Sequence, residues 1–390
     1  MSDRRPTPFR LPRRDLILIP LLSFATVFLL LVGAELVSRI LFVESGAETC
    51  NAPADGGPPR MRANCVSHRK AAEGPEVENI FNDCGYRTPT SCGPRTPGTL
   101  RVVLMGASTA EGFKVRYPDS FAARLTDALT AACHRPVEFQ NMGVAGASPL
   151  DVYHRMSEAL GLQPDLIMLV VGPYELKTRL TREQMVHRDD PTQPMAARPD
   201  TPSSPPDRSL IAHLSDLVAN SRALVAAQHY LYQDRASFVR LYMLHGEDAD
   251  YLRPPLSAAW RERLGDFEQL LDDMATRAGQ VPMLLVTGPQ RIQAALLIKD
   301  DAAQGADPFV IDHAFADIAS RHRVAFVDTL DTFARHRDPE RYFYPVDGHM
   351  DATGSAVFAE AVAERLLAGD LAPFAGCDRA SLAQRLADTR

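Results

Sequence analysis

Six cysteines in 390 residues are too few for a disulfide scaffold, and no two of them form the CxxC pair of a zinc ribbon or redox motif. The chain lacks a basic excess: 42 Lys and Arg stand against 49 Asp and Glu, a net charge of −7. That balance argues against nucleic acid as a partner, because there is no surplus of cations to neutralise a phosphate backbone. The sequence also has no HExxH zinc helix, no EF-hand loop, no GxGxxG after its first strand and no P-loop ending in Gly-Lys-Ser/Thr. No internal repeat is visible. With 45% hydrophobic residues the chain is nevertheless rich enough to bury a large core, so it is neither disordered nor fibrous.

What is present begins with an apolar run. Residues 16–34, LILIPLLSFATVFLLLVGA, carry no charge, and at 1.5 Å per residue a helix of this length spans a bilayer core of about 30 Å. Arg4, Arg5, Arg10, Arg13 and Arg14 precede it and Glu35 follows, so the positive-inside rule leaves the N-terminus cytoplasmic and exports the rest. A cleaved signal peptide ending at Val32-Gly33-Ala34 is the rival reading, set against a run longer than the usual h-region. Export permits disulfides. Cys50, Cys65, Cys84 and Cys92 crowd one stretch, and Cys133 and Cys377 form a possible separate long-range pair, with the connectivity left open.

The expected organisation is a cytoplasmic basic tail (1–14), a transmembrane anchor (15–42), a Cys/Pro/Gly-rich lead-in (43–98), a globular domain (99–370) and a C-terminal tail (371–390). Within the domain, apolar runs at 100–106, 137–143, 165–172, 281–288 and 323–330 alternate with helical stretches at 119–132, near 149–161 and at 352–367. Short apolar runs separated by helices predict a five-stranded parallel sheet covered on both faces. Between the third and fourth runs lies an insertion, about 176–280, with a Pro-rich loop at 186–208 followed by helical segments. Its cluster His187-Arg188-Asp189-Asp190 reads as solvated surface, and Trp260, the single tryptophan, as a packing residue.

Three groups fall at strand ends or before the last helix. Ser108, in Gly106-Ala107-Ser108-Thr109-Ala110, follows the first strand, where a serine can point over the sheet edge; it is not the GxSxG elbow, since position 110 is Ala. Gly143, in Asn141-Met142-Gly143, ends the second strand, and its N–H with that of Ser108 offers two donors for a developing oxyanion. Asp347-Gly348-His349 precedes the last helix and supplies a base with an acid to orient it, while Asp351 suits a helix cap. Each has a plain alternative as a turn residue or a solvated side chain; their order Ser, Gly, Asp-x-His gives the coincidence its weight.

With these blocks the chain resembles the SGNH, or GDSL-type, hydrolase family over roughly 100–368 apart from the insertion: RVVLMGASTAEG, NMGVAG and DGHMDATG match its first, second and last blocks. The resemblance implies a flavodoxin-like three-layer α/β sandwich, acyl-ester chemistry without metal or cofactor, Ser108 as nucleophile, His349 and Asp347 as base and acid, and an acylated envelope carbohydrate or lipid as substrate. Water as acceptor would make an esterase and a sugar hydroxyl an O-acetyltransferase. Two departures stand out. The third block reads Gly172-Pro173-Tyr174-Glu175, without the family's oxyanion asparagine, leaving the Tyr174 hydroxyl as the candidate substitute, and Asp and His are one residue apart where two is commoner. A degenerate member that binds an envelope glycan or a partner protein is the alternative that Tyr174 motivates.

Overall fold

The computed structural model describes residues 12, 14–46, 49–53, 57–177, 221–298, 303 and 305–378. The Pro-rich loop, His187-Arg188-Asp189-Asp190 and the part of the insertion's helical segments before residue 221 lie outside the described residues. The described residues form two compact units, one holding residues up to Val43 with 221–228, the other Glu44 to 177 and His229 onward.

In the first unit, α1 (Asp15–Leu41) is the one described helix long and apolar enough to cross a membrane, with a mean hydropathy of 2.7 over its most apolar stretch; a signal sequence has the same properties. Near its end Glu35 bonds Arg39 one turn on at 2.8 Å and accepts from Ser221 Oγ and the N–H groups of Arg222 and Ala223 at the start of α6 (Arg222–Leu231). These contacts satisfy amide groups that a helix N-terminus otherwise leaves unpaired.

The second unit is built on a sheet. Its strands are β3 (Leu100–Gly106), β4 (Val137–Asn141), β5 (Leu166–Val171), β6 (Met283–Thr287) and β7 (Ala325–Val327), in the order β4-β3-β5-β6-β7, with every pairing parallel. This is the flavodoxin-like order, and all five expected strands are present. Side chains alternate across the sheet with period two. Val103, Met105, Ile167, Leu169 and Leu285 join one apolar cluster with α4 (Pro149–His154), α5 (Met156–Gly161), α8 (Ala258–Ala278) and α10 (Val310–Arg321). Val102, Leu104, Leu166, Met168 and Leu284 join the other with α3 (Phe121–Cys133), α11 (Leu330–Phe333) and α12 (Ala352–Leu366). Strands buried on both faces need apolar residues at consecutive positions, which is why they read as unbroken runs.

Differences from the sequence reading are local. The expected helix at 149–161 is two short helices divided at Arg155, whose guanidinium donates to the Met142 carbonyl at 2.7 Å. The described part of the insertion comprises α6, α7 (Arg235–Tyr242) and α8, and Trp260 is fully buried in α8 with its Nε1–H on the Glu247 carbonyl, a packing residue as expected.

The larger correction concerns the lead-in. Rather than standing apart from the domain that begins at residue 99, it belongs to the same compact unit and contains an antiparallel pair, β1 (Val66–Lys70) and β2 (Glu76–Ile80). It lies along β4: the Arg87 N–H donates to the Asn141 carbonyl, and Asn82 and Ser91 bond the buried Gln140 side chain. A polar inward-facing residue on β4 is thereby satisfied.

All six cysteines pair, as Cys50–Cys65, Cys84–Cys92 and Cys133–Cys377. The last joins the end of α3 to the segment after α12 across a sequence separation of 244. Constraining so long a loop in the unfolded chain is worth up to about 5 kcal/mol. Denatured, unreduced protein is therefore expected to show no free thiol by titration, and Cys133→Ser with Cys377→Ser to lower the melting temperature; a double variant that melts with the wild type would remove the tie's energetic role.

Candidate active site

The carboxyl end of β3 sets the geometry. Gly106 has φ +148°, and a Cβ there would stand 2.5 Å from the Val170 carbonyl oxygen, so the turn out of the strand requires glycine. The turn leads into α2 (Ser108–Glu111), a single helical turn with Ser108 at its start, so that the Ser108 N–H has no intrahelical acceptor. The buried guanidinium of Arg87 holds the far end of α2, donating to the carbonyls of Glu111, Gly112 and Val115 at 2.5–2.7 Å.

The loop before α12 meets this turn. Gly348, at φ +81°, closes a turn in which its N–H donates to the Tyr344 carbonyl and the Tyr344 N–H to the His349 carbonyl. Asp351 caps α12 as expected, accepting from the N–H groups of Thr353 and Gly354. Between them, His349 Nε2 lies 2.8 Å from Ser108 Oγ and His349 Nδ1 lies 2.7 Å from Asp347 Oδ1. The sequence-derived trio is thus one hydrogen-bonded chain. Its tautomer follows from the partners: Asp347 accepts from Nδ1–H, which leaves Nε2 to accept from the serine hydroxyl.

Two neighbours without a sequence motif complete this arrangement. The Lys114 ammonium pairs with the other oxygen of Asp347, and the Phe113 ring packs 5.1 Å from the His349 ring. Burial alone would raise the Asp347 carboxyl; its hydrogen bond to His349, the histidine's charge and Lys114 outweigh that and hold it well below the usual carboxylate range. Asp347 is therefore ionised wherever the protein is folded near neutrality.

Two of the three expected oxyanion donors, Gly143 and Tyr174, are placed differently. Gly143 packs against α2 so closely that a Cβ would meet the Glu111 nitrogen at 2.4 Å, and its N–H donates to Asn141 Oδ1 at 3.0 Å. The buried Glu111 carboxylate accepts from the Ala145 N–H at 2.6 Å, fixing the same loop. Tyr174 is 63% exposed, with Lys177 Nζ 5.3 Å from its ring, and its hydroxyl makes no hydrogen bond among the described residues. Glu175 turns back to accept from the Gly172 N–H at 2.8 Å, and burial raises its carboxyl despite that bond and the charge on His349. Sequence reasoning missed Lys114, Arg87, Glu111 and Glu73; each acts on a backbone group or a charge brought near by folding, for which the sequence offers no fixed spacing.

A model of the GDSL-like Lipase/Acylhydrolase family matches residues 104–357. Solved structures to which the chain is similar include an alpha/beta hydrolase enzyme from the metagenome of Lake Arreo, Spain (15% identity, covering 68% of this chain and 94% of that one, TM-score 0.39). Others are an acetyl-xylooligosaccharide esterase from Geobacillus stearothermophilus (12%, 68% and 93%, 0.37) and a lipase/acylhydrolase from Enterococcus faecalis (12%, 68% and 95%, 0.37). No curated protein matches the chain.

The sign of the Asp347 shift yields a pH prediction. A depressed carboxyl titrates only as the pH falls well below its ordinary value of 3.8, so Asp347 is expected to contribute no limb to the rate profile for an activated aryl ester above about pH 4.5. Asp347→Asn is expected to lower kcat by up to about 10⁴, the cost of the corresponding change in a serine protease. A carboxylate limb near pH 5 that disappears in Asp347→Asn would contradict this assignment.

Proposed function

The chain belongs to the GDSL-like lipase/acylhydrolase family, and from that premise we propose that it is a membrane-anchored serine acyl-ester hydrolase or O-acyltransferase whose nucleophile is Ser108. The hydrogen-bonded chain Ser108–His349–Asp347 carries the reading. Ser108 Oγ attacks the ester carbonyl while His349 Nε2 takes its proton, and Asp347 orients the ring and stabilises the imidazolium. The imidazolium then gives its proton to the departing alkoxide, leaving an acyl-serine. A second nucleophile, activated by the same nitrogen, releases the acyl group: water gives an esterase and a sugar hydroxyl an O-acetyltransferase.

The oxyanion forms beside the start of α2, where the Ser108 N–H is the first donor. The Gly143 N–H is the second, once it is shared between Asn141 Oδ1 and the substrate oxygen. Loss of one such donor costs about 10²–10³ in rate, so the absence of the third-block asparagine implies a slow enzyme unless Tyr174 turns inward. No metal or cofactor enters this scheme.

The apolar α1 and the arginines before it support anchoring with the N-terminus cytoplasmic and the catalytic unit outside, and three disulfide pairs suit an oxidising compartment. The substrate class that fits this placement is an acylated, above all acetylated, envelope carbohydrate or lipid. The engaged Gly143 N–H and the outward Tyr174 favour one rival, a degenerate member that binds an envelope glycan or a partner protein without turnover.

A fluorophosphonate separates the two. Full-length chain in detergent is expected to gain one adduct by intact mass, lost in Ser108→Ala and His349→Ala. A folded wild type that stays unlabelled would leave the glycan- or partner-binding reading.

A further inference from the structure

The lead-in places one buried carboxylate behind the histidine loop. Glu73 follows β1, is 6% exposed, and has no counterpart in any block of the sequence that carries the catalytic residues. Its Oε2 accepts from the backbone N–H of Asp347 at 2.9 Å and of Val346 at 3.1 Å, and its Oε1 lies 2.6 Å from His229 Nδ1 on α6. The neighbouring Gly74, at φ +86°, lets the chain press on the same loop, since a Cβ there would stand 2.7 Å from the Tyr344 ring. Arg291, at the start of α9 (Arg291–Leu296), donates to the Pro345 carbonyl at 2.6 Å, and the Glu73 charge acts on its guanidinium. Residues 345–347 thus have their backbone groups held in sequence by an arginine and a glutamate.

We propose that Glu73 is a positioning residue for the catalytic pair, fixing through the Val346 and Asp347 amides the point from which Asp347 orients His349. The proposal rests on the reading of Ser108, His349 and Asp347 given above. Buried carboxylates are retained only with full partners, and charge-assisted bonds to backbone N–H groups are the stronger kind. Misplacing a catalytic group by about 1 Å can cost about 10² in rate. Glu73 touches neither substrate nor the reacting atoms, so its removal acts on the chemical step and not on the binding of a small ester.

The test compares variants of the full chain in detergent, using the rate of fluorophosphonate labelling together with kcat and KM for an aryl acetate. Glu73→Ala is expected to slow labelling and lower kcat by about 10- to 100-fold with KM within about threefold of wild type. Glu73→Gln is expected to recover most of the rate, because its amide oxygen can still accept both N–H groups while its NH₂ faces His229. A purely structural role would reduce the labelled fraction and leave the rate constant of the folded molecules unchanged; that result overturns the proposal. Should Glu73→Ala fail to fold, Glu73→Asp keeps the charge but shortens its reach by one methylene, and labelling at the wild-type rate would be equally fatal. An unlabelled wild type sinks the Ser108 reading, whereas a labelled wild type indifferent to Glu73 sinks only this one.

Discussion

The contact on which the site depends is the 2.8 Å hydrogen bond between Ser108 and His349, residues 241 positions apart. A bond of this kind is worth only about 1 kcal/mol net, far less than the entropy of closing so long a loop, so it cannot bring its own partners together. The sheet does that. β3 lies between β4 and β5, and its carboxyl end is where the chain emerges as α2. The helix α12 returns to pack on the cluster that contains Val102 and Leu104, and the turn before it is delivered to the same edge. The Cys133–Cys377 bond fastens the end of α3 to the segment beyond α12, so the two helices under the site are also tied covalently.

Around this contact the lead-in holds the backbone in place. Arg87 takes three carbonyls at the end of α2, and Glu73 takes two amides of the histidine loop. Each is a charge buried among backbone dipoles of the opposite sense, which offset part of its desolvation and make its position specific. Lys114 works on the side chain: by pairing with Asp347 it favours the ionised form that His349 needs as a partner. The segment that joins the apolar helix to the fold in sequence is thus also part of the frame of the site.

The five strands were legible because a parallel sheet covered on both faces leaves uninterrupted runs such as LIMLVV, buried at every position. β1 and β2, VSHRK and EVENI, were not, because only alternate residues are buried there and the inward ones include Ser67 and Asn79. Ser108, Gly143, Asp347 and His349 were legible from their places at strand ends and before the last helix. Their supports were not, since Arg87 and Glu73 bond backbone groups, which any residue carries. Nor could spacing show that the Gly143 amide already serves Asn141, or that Tyr174 faces outward: both are facts of local conformation.

The most direct measurement is a peptide map of the chain after rapid acid quench from an aryl acetate. The account predicts a single acetyl group on the tryptic peptide running from Val102 to Lys114, localised to Ser108, accumulating before steady state. Steady turnover with that peptide unmodified at every time, or an acetyl group carried by a different peptide, would contradict it.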